Sequence, residues 1–122
     1  MGESLKLTAS DGHMLDAYRA DPAGTAKAGL VLIQEIFGVN SHIRECCDRF
    51  AKAGYSVISP ALFDRTEKNV ELGYEPADVE QGLALRERCP WDSAVLDVEA
   101  AISVLRAEGK VGVTGYCWGG SL

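Results

Sequence analysis

The chain has 122 residues, of which 47% are hydrophobic and 25% charged, so at most one ordinary globular domain is expected. Net charge is −6, from 12 basic and 18 acidic residues, with no basic run or stripe. That balance argues against a nucleic-acid or anionic-membrane partner, and no apolar run is long enough to span a bilayer.

Residues 4–20 read as a β-hairpin. Leu5 and Leu7 alternate with Lys6 and Thr8, residues 14–18 form a second short run, and Asp11-Gly12 between them is a turn signal. Residues 21–25 make a loop rich in small residues and proline. The continuous apolar run at 29–33 is of strand length and implies a strand covered on both faces. Asn40 or Ser41 then caps a helix that extends to about Ala53, where Gly54 stops it. Ile43, Cys46, Cys47, Phe50 and Ala51 form its apolar stripe. Residues 55–59 are the next strand and Pro60 closes it, completing a strand–helix–strand unit.

From 62 to 74 the chain turns polar and irregular. Pro76 suits the first turn of a helix running towards Arg88, weakened by Gly82 and broken at Cys89-Pro90. Asp92 or Ser93 caps a further helix on which Val95, Val98, Ile102 and Leu105 recur at helical spacing, with Asp97 and Glu99 on its exposed face. Trp91, beside that cap, reads as a packing contact. A strand at 110–114 follows Gly109. Alternation of strand and helix predicts a mainly parallel sheet with helices on both faces, its functional loops gathered at the C-terminal strand ends.

Glu35 and the stretch Gly115-Tyr116-Cys117-Trp118-Gly119-Gly120 both occupy such ends. Gly-x-Cys-x-Gly after a strand has the form of a nucleophile elbow, with cysteine as the nucleophile. The turn is sharp, so the positions two residues either side of Cys117 require glycine, here Gly115 and Gly119. A thiolate at a helix start is favoured, and the following N–H, that of Trp118, is placed to bind an oxyanion. Ile36 offers a second donor by the same logic, and a carboxylate at Glu35 keeps a neighbouring thiol protonated. These features together predict an α/β-hydrolase fold, expected to be truncated just after its elbow, with residues 1–122 as the N-terminal portion of a single domain.

A thiol nucleophile ordinarily takes a histidine base held by a carboxylate, and in this fold class both follow the elbow. Only Leu122 lies beyond the Gly-Gly-Ser stretch. His13, beside the hairpin turn, is expected to be exposed, and His42 near a helix start is a poor candidate for the base. Arg86 and Arg88 read as a solvated helix face. The four cysteines contain no Cys-x-x-Cys pair, so zinc and thioredoxin-like readings fail on spacing, and neither a phosphate-binding nor a dinucleotide-binding glycine motif is present. No secretory signal is visible, so a reducing cytoplasm is expected and the cysteines are thiols.

The sequence resembles the dienelactone hydrolases (carboxymethylenebutenolidases). The most specific pieces are Ser10-Asp11-Gly12-His13, Gln34-Glu35-Ile36-Phe37-Gly38-Val39-Asn40, Leu72-Gly73-Tyr74 and Gly112-Val113-Thr114-Gly115-Tyr116-Cys117-Trp118-Gly119-Gly120. The resemblance implies a Cys-His-Asp triad that opens a lactone or carboxylic ester through an acyl-thiol intermediate. Cys117 would be the nucleophile, Glu35 the glutamate that meets the resting thiol, and Ile36 and Trp118 the oxyanion donors. No metal or organic cofactor is implied. The triad aspartate and histidine of the family lie downstream of the elbow and are missing here, so these residues alone are expected to be nearly inactive. Where the family has a substrate-gripping arginine, this chain has Val79, Glu80 and Gln81. The full-length form is expected to be a monomer or weak dimer. The alternatives are a non-catalytic protein or a redox thiol protein on the same scaffold.

Overall fold

The computed structural model describes residues 2–122. Five strands form one mixed sheet in the order β1-β2-β4-β3-β5, with β1 at Glu3–Thr8, β2 at Met14–Ala20, β3 at Ala28–Ile33, β4 at Tyr55–Pro60 and β5 at Val111–Gly115. The hairpin β1–β2 pairs antiparallel and lies antiparallel against β4, whereas β4, β3 and β5 run parallel. Four helices accompany them: α1 at Ser41–Lys52, α2 at Pro76–Glu87, α3 at Trp91–Leu105 and the short α4 at Trp118–Ser121.

The unbroken apolar run of β3 has the double cover its composition demands. Leu32, with Leu30 beside it, packs towards Ile43, Cys46, Cys47 and Ala51 of α1. Val31 and Ile33 face Ala94, Val98, Ala101 and Leu105 of α3. Successive side chains of a strand point to opposite faces, so a strand with helices on both sides has no polar position to offer. Asn40 caps α1 through its side-chain oxygen, which accepts from the Ile43 N–H at 3.2 Å. Gly54 takes φ +109° just past the C-cap, a conformation that costs glycine little.

Several expectations need correction. Asp97 is fully buried on α3, whereas Glu99 is exposed. The reason is Arg65, whose guanidinium grips both Asp97 oxygens at 2.8 and 3.0 Å and both Asp11 oxygens at 2.8 and 3.1 Å. The stretch after β4 is not simply polar: Leu62, Phe63 and Val70 are core residues, and residues Leu62–Arg65 form a turn of 3-10 helix. Helix α3 begins at Trp91, not at a capping Asp92 or Ser93, and Pro90 occupies its cap position without a side-chain bond. Its inward stripe is Ala94, Asp97, Val98, Ala101 and Leu105, while Val95 and Ile102 are only partly covered. Trp91 is half exposed, and His13 is half-buried with its Nε2 unpartnered.

Gly82 also has a different meaning from the one its helix propensity suggests. A Cβ there would lie 2.4 Å from the Ile36 carbonyl oxygen. The glycine lets α2 approach the backbone that leaves β3, and that close approach outweighs its propensity cost of about 1 kcal/mol.

Candidate active site

Two parallel neighbours, β3 and β5, deliver the candidate residues. Ile33 is in register with Gly115, and Glu35 and Cys117 each follow two residues later. Adjacent strands lie about 4.8 Å apart, so both residues leave the sheet at one place. The Glu35 charge also reaches the Cys46 thiol on α1 and raises it. Burial is the main cause that raises this thiol.

At Cys117 the backbone turns through φ +56° and ψ −121°, a conformation that side-chain-bearing residues rarely adopt. The turn is tight enough that its flanking glycines are compulsory. A Cβ on Gly115 would lie 2.5 Å from the carbonyl carbon of Gly119, and one on Gly119 would lie 2.6 Å from the carbonyl oxygens of both Ile33 and Gln34. Trp118 opens α4, so its N–H belongs to the first turn and has no partner within the helix. Its indole stacks on Phe63 at 5.6 Å, which fastens the elbow to the core. The Cys117 side chain is exposed, whereas Cys46, Cys47 and Cys89 are buried. Burial pushes the Cys47 thiol up to about 12 and the Cys89 thiol to about 11, so neither is a thiolate at neutral pH.

The β3 end is held differently. Gln34 is fully buried; its amide donates to the Glu35 carbonyl at 3.1 Å and accepts from the Leu62 N–H at 2.9 Å. Ile36 is 6% exposed and covered by α2 at Gly82. The Glu35 carboxylate accepts from the Tyr74 hydroxyl at 3.1 Å, not from Cys117. His42 is exposed on α1, 3.8 Å from the Cys46 sulfur, and neither His42 nor His13 is hydrogen-bonded to Cys117 among the described residues. Arg86 is exposed as expected, and with Trp91, Trp118 and Ser121 it borders a shallow depression beside α4. Among the described residues there is no cluster of three or more metal-binding side chains, and no helix is long and apolar enough to cross a membrane.

Tyr74 and Gly82 are the residues of this neighbourhood that sequence reasoning did not single out for a role. Tyr74 sits in the Leu72-Gly73-Tyr74 motif, so a signal existed, but nothing local says which carboxylate its hydroxyl meets.

A mixed sheet with a strained cysteine turn between strand and helix defines an α/β-hydrolase fold. The structure superposes on that of an esterase from Pyrococcus furiosus with a TM-score of 0.65 at 16% identity, covering 98% of this chain and 41% of that one, a likeness of fold alone. It superposes more closely on a crystal structure from Klebsiella pneumoniae assigned as a dienelactone hydrolase, with a TM-score of 0.75 at 28% identity, covering 97% of this chain and 51% of that one. Residues 15–122 match the Dienelactone hydrolase family. Carboxymethylenebutenolidase of Pseudomonas putida is 35% identical over 98% of this chain and 53% of its own length. Carboxymethylenebutenolidase 1 of Cupriavidus pinatubonensis is 34% identical over 100% of this chain and 54% of its own. The chain belongs to the dienelactone hydrolase family, and it spans about half the length of these relatives.

Proposed function

We propose that Cys117 is the nucleophile of a hydrolase that opens a lactone or carboxylic ester. The observation that carries this is the strained Cys117 turn, held between two glycines that admit no Cβ. Such strain persists only where the surrounding structure enforces it, and an exposed thiol is what this turn presents. The thiolate sulfur adds to the substrate carbonyl carbon, and the N–H groups of Ile36 and Trp118 stabilise the oxyanion. The carbonyl then re-forms as the C–O bond to the leaving oxygen breaks, that oxygen takes a proton, and an acyl-thiol remains. Water adds to the acyl carbon and expels the thiol, completing hydrolysis. Glu35, at the neighbouring strand end, would disfavour the thiolate to the extent that its carboxylate approaches the sulfur.

Residues 1–122 are, in our proposal, the nucleophile-bearing portion of one domain, with the triad aspartate and histidine supplied from outside them. Two facts support this division: neither histidine bonds Cys117, and the relatives are about twice as long. Proton transfer is then missing while oxyanion stabilisation is retained, so slight activity is expected. The four free thiols fit a reducing compartment such as the cytoplasm.

The test is incubation of the 122-residue chain with p-nitrophenyl acetate. We expect slow p-nitrophenol release and an acetyl group that mass spectrometry maps to Cys117, both lost in Cys117→Ala. Acetyl on another residue, or none, would overturn the nucleophile assignment. Rapid Cys117-dependent turnover would overturn the division of the triad.

A further inference from the structure

A short hydrogen-bond chain runs from Asn40 through Tyr74 to Glu35. The Tyr74 hydroxyl donates to Glu35 Oε1 at 3.1 Å. The Asn40 Nδ2 donates to that same phenol oxygen at 3.3 Å and to the Leu72 carbonyl at 3.0 Å. The other end of the Asn40 amide is committed to the α1 cap, and Asn40 is only 5% exposed, so it is a fixed anchor. A phenol carries one proton. Accepting from Asn40 leaves that single O–H free for Glu35, so the bonds run in one direction, from amide to phenol to carboxylate.

The ring is fixed as well as the hydroxyl. Phe37 meets it edge-on with centroids 4.5 Å apart. Beneath it the Leu72 N–H donates to the Phe37 carbonyl at 2.9 Å, and Gly38 bridges to Glu71. Residues 70–74 thus form a strap over the loop that carries Glu35. Tyr74 is nevertheless 54% exposed, so burial of its ring does not account for this fixation. Partial burial raises the phenol above its ordinary value, so it is a donor at neutral pH.

We infer that Tyr74 is a positioning residue: its hydroxyl, oriented by Asn40, holds the Glu35 carboxylate on the strap and off the Cys117 thiol, and so sets how readily that thiol ionises. The inference rests on the assignment of Cys117 and Glu35 under the proposed function. A carboxylate within about 4–6 Å of a thiol disfavours the thiolate. The bond to Tyr74 limits that effect, and losing it releases the charge towards Cys117.

The experiment is iodoacetamide alkylation of the intact 122-residue chain across neutral to alkaline pH, with peptide mapping to separate Cys117 from the three buried cysteines. Tyr74→Phe keeps the ring and its contact with Phe37. We expect it to slow alkylation of Cys117 at neutral pH by about tenfold. In a Glu35→Gln background the same substitution should change the rate by less than about twofold, since the coupled partner is gone. An unchanged Tyr74→Phe profile, or an equal change in both backgrounds, overturns the inference while leaving the nucleophile assignment standing. A Cys117 that resists alkylation in every variant overturns both. A second readout does not involve Cys117: the Glu35 carboxyl carbon resonance in the NMR spectrum should move in Tyr74→Phe, because its hydrogen-bond donor has been lost. No movement there also overturns the inference.

Discussion

The two strand ends that build the site are made to different standards of restraint. The β3 end, residues 34–40, is clamped from every side: Gln34 to residue 62, Ile36 under α2, Asn40 to the strap and to α1, and Glu35 to Tyr74. The β5 end has one neighbouring strand, carries Val113 at 48% exposure, and turns through a strained, exposed cysteine. The difference teaches that the carboxylate end of the proposed site is fully held within this chain, while the proposed nucleophile stands on a margin of the sheet. Each prediction below breaks one side of that contrast or the seam between them.

The largest effect is expected at Arg65→Ala, in the 3-10 turn to which Gln34 of the β3 end is bonded. It strands Asp97, a fully buried carboxylate, without its partner. Breaking a buried pair from one side costs about 3–5 kcal/mol, which chemical denaturation would measure. The same arginine sets an acid dependence. Its bonds pull the Asp11 carboxyl down to about 2. That is below the unfolded value of about 3.9, so the contribution is present above that pH and is lost as pH falls towards 2. Asp64, raised by burial, acts in the opposite sense. Asp11→Asn should therefore flatten the acid limb of the stability curve and leave the neutral region little changed. A limb identical to wild type would show that the exposed half of this ion pair contributes nothing.

Next is the seam. Gly119→Ala pushes a methyl against the Ile33 and Gln34 carbonyl oxygens at 2.6 Å, and backbone cannot rotate away as a side chain can. Overpacking of this kind costs about 1–3 kcal/mol. The elbow should part from β3, with loss of the Trp118–Phe63 stacking seen as a change in tryptophan fluorescence. Gly120→Ala is the control, because its nearest contact would be 3.2 Å and it lies on an exposed position. Equal losses in the two variants would mean that helix α4, not the seam, is what the glycines protect.

Asn40→Ala should cost about 1–2 kcal/mol as a lost helix cap. It also frees the strap, so hydrogen exchange at the Leu72 N–H should rise along with that of α1. Protection retained at Leu72 would separate the two duties of this one amide.

These residues also mark how far the sequence could be read. Elements followed from local signals: the unbroken run of β3, the Asn40 cap, the glycine that stops α1. The elbow was legible because part of its constraint is local too, Gly115 lying against Gly119, whereas Gly119 is required by the distant Ile33 and Gln34 carbonyls. What was not legible depends on residues distant in sequence. Asp97 reads as an exposed charge on its helix, and only Arg65, 32 residues away, makes its burial tolerable. Gly82 looks like a weakness in α2 until the Ile36 carbonyl arrives opposite it. Tyr74 reads as a loop aromatic, and its bond to Glu35 spans 39 residues. Periodicity reports which face of an element is buried, and it is silent on which polar side chain will find a partner.

The smallest effect has the opposite sign and tests the exposed margin. Cys117 carries a side chain at φ +56° and ψ −121°. Strain of this kind amounts to about 1–3 kcal/mol. Glycine relieves it but adds about 0.5–1 kcal/mol of backbone freedom in the unfolded chain. The exposed thiol gives up little packing in exchange. Cys117→Gly should therefore stabilise the fold by about 1 kcal/mol while abolishing acetyl labelling, whereas Cys117→Ala, which keeps the Cβ, should abolish labelling with no such gain. A destabilised Cys117→Gly would mean that the turn is at ease with its side chain, and the strain on which the proposal of Cys117 as nucleophile rests would be absent.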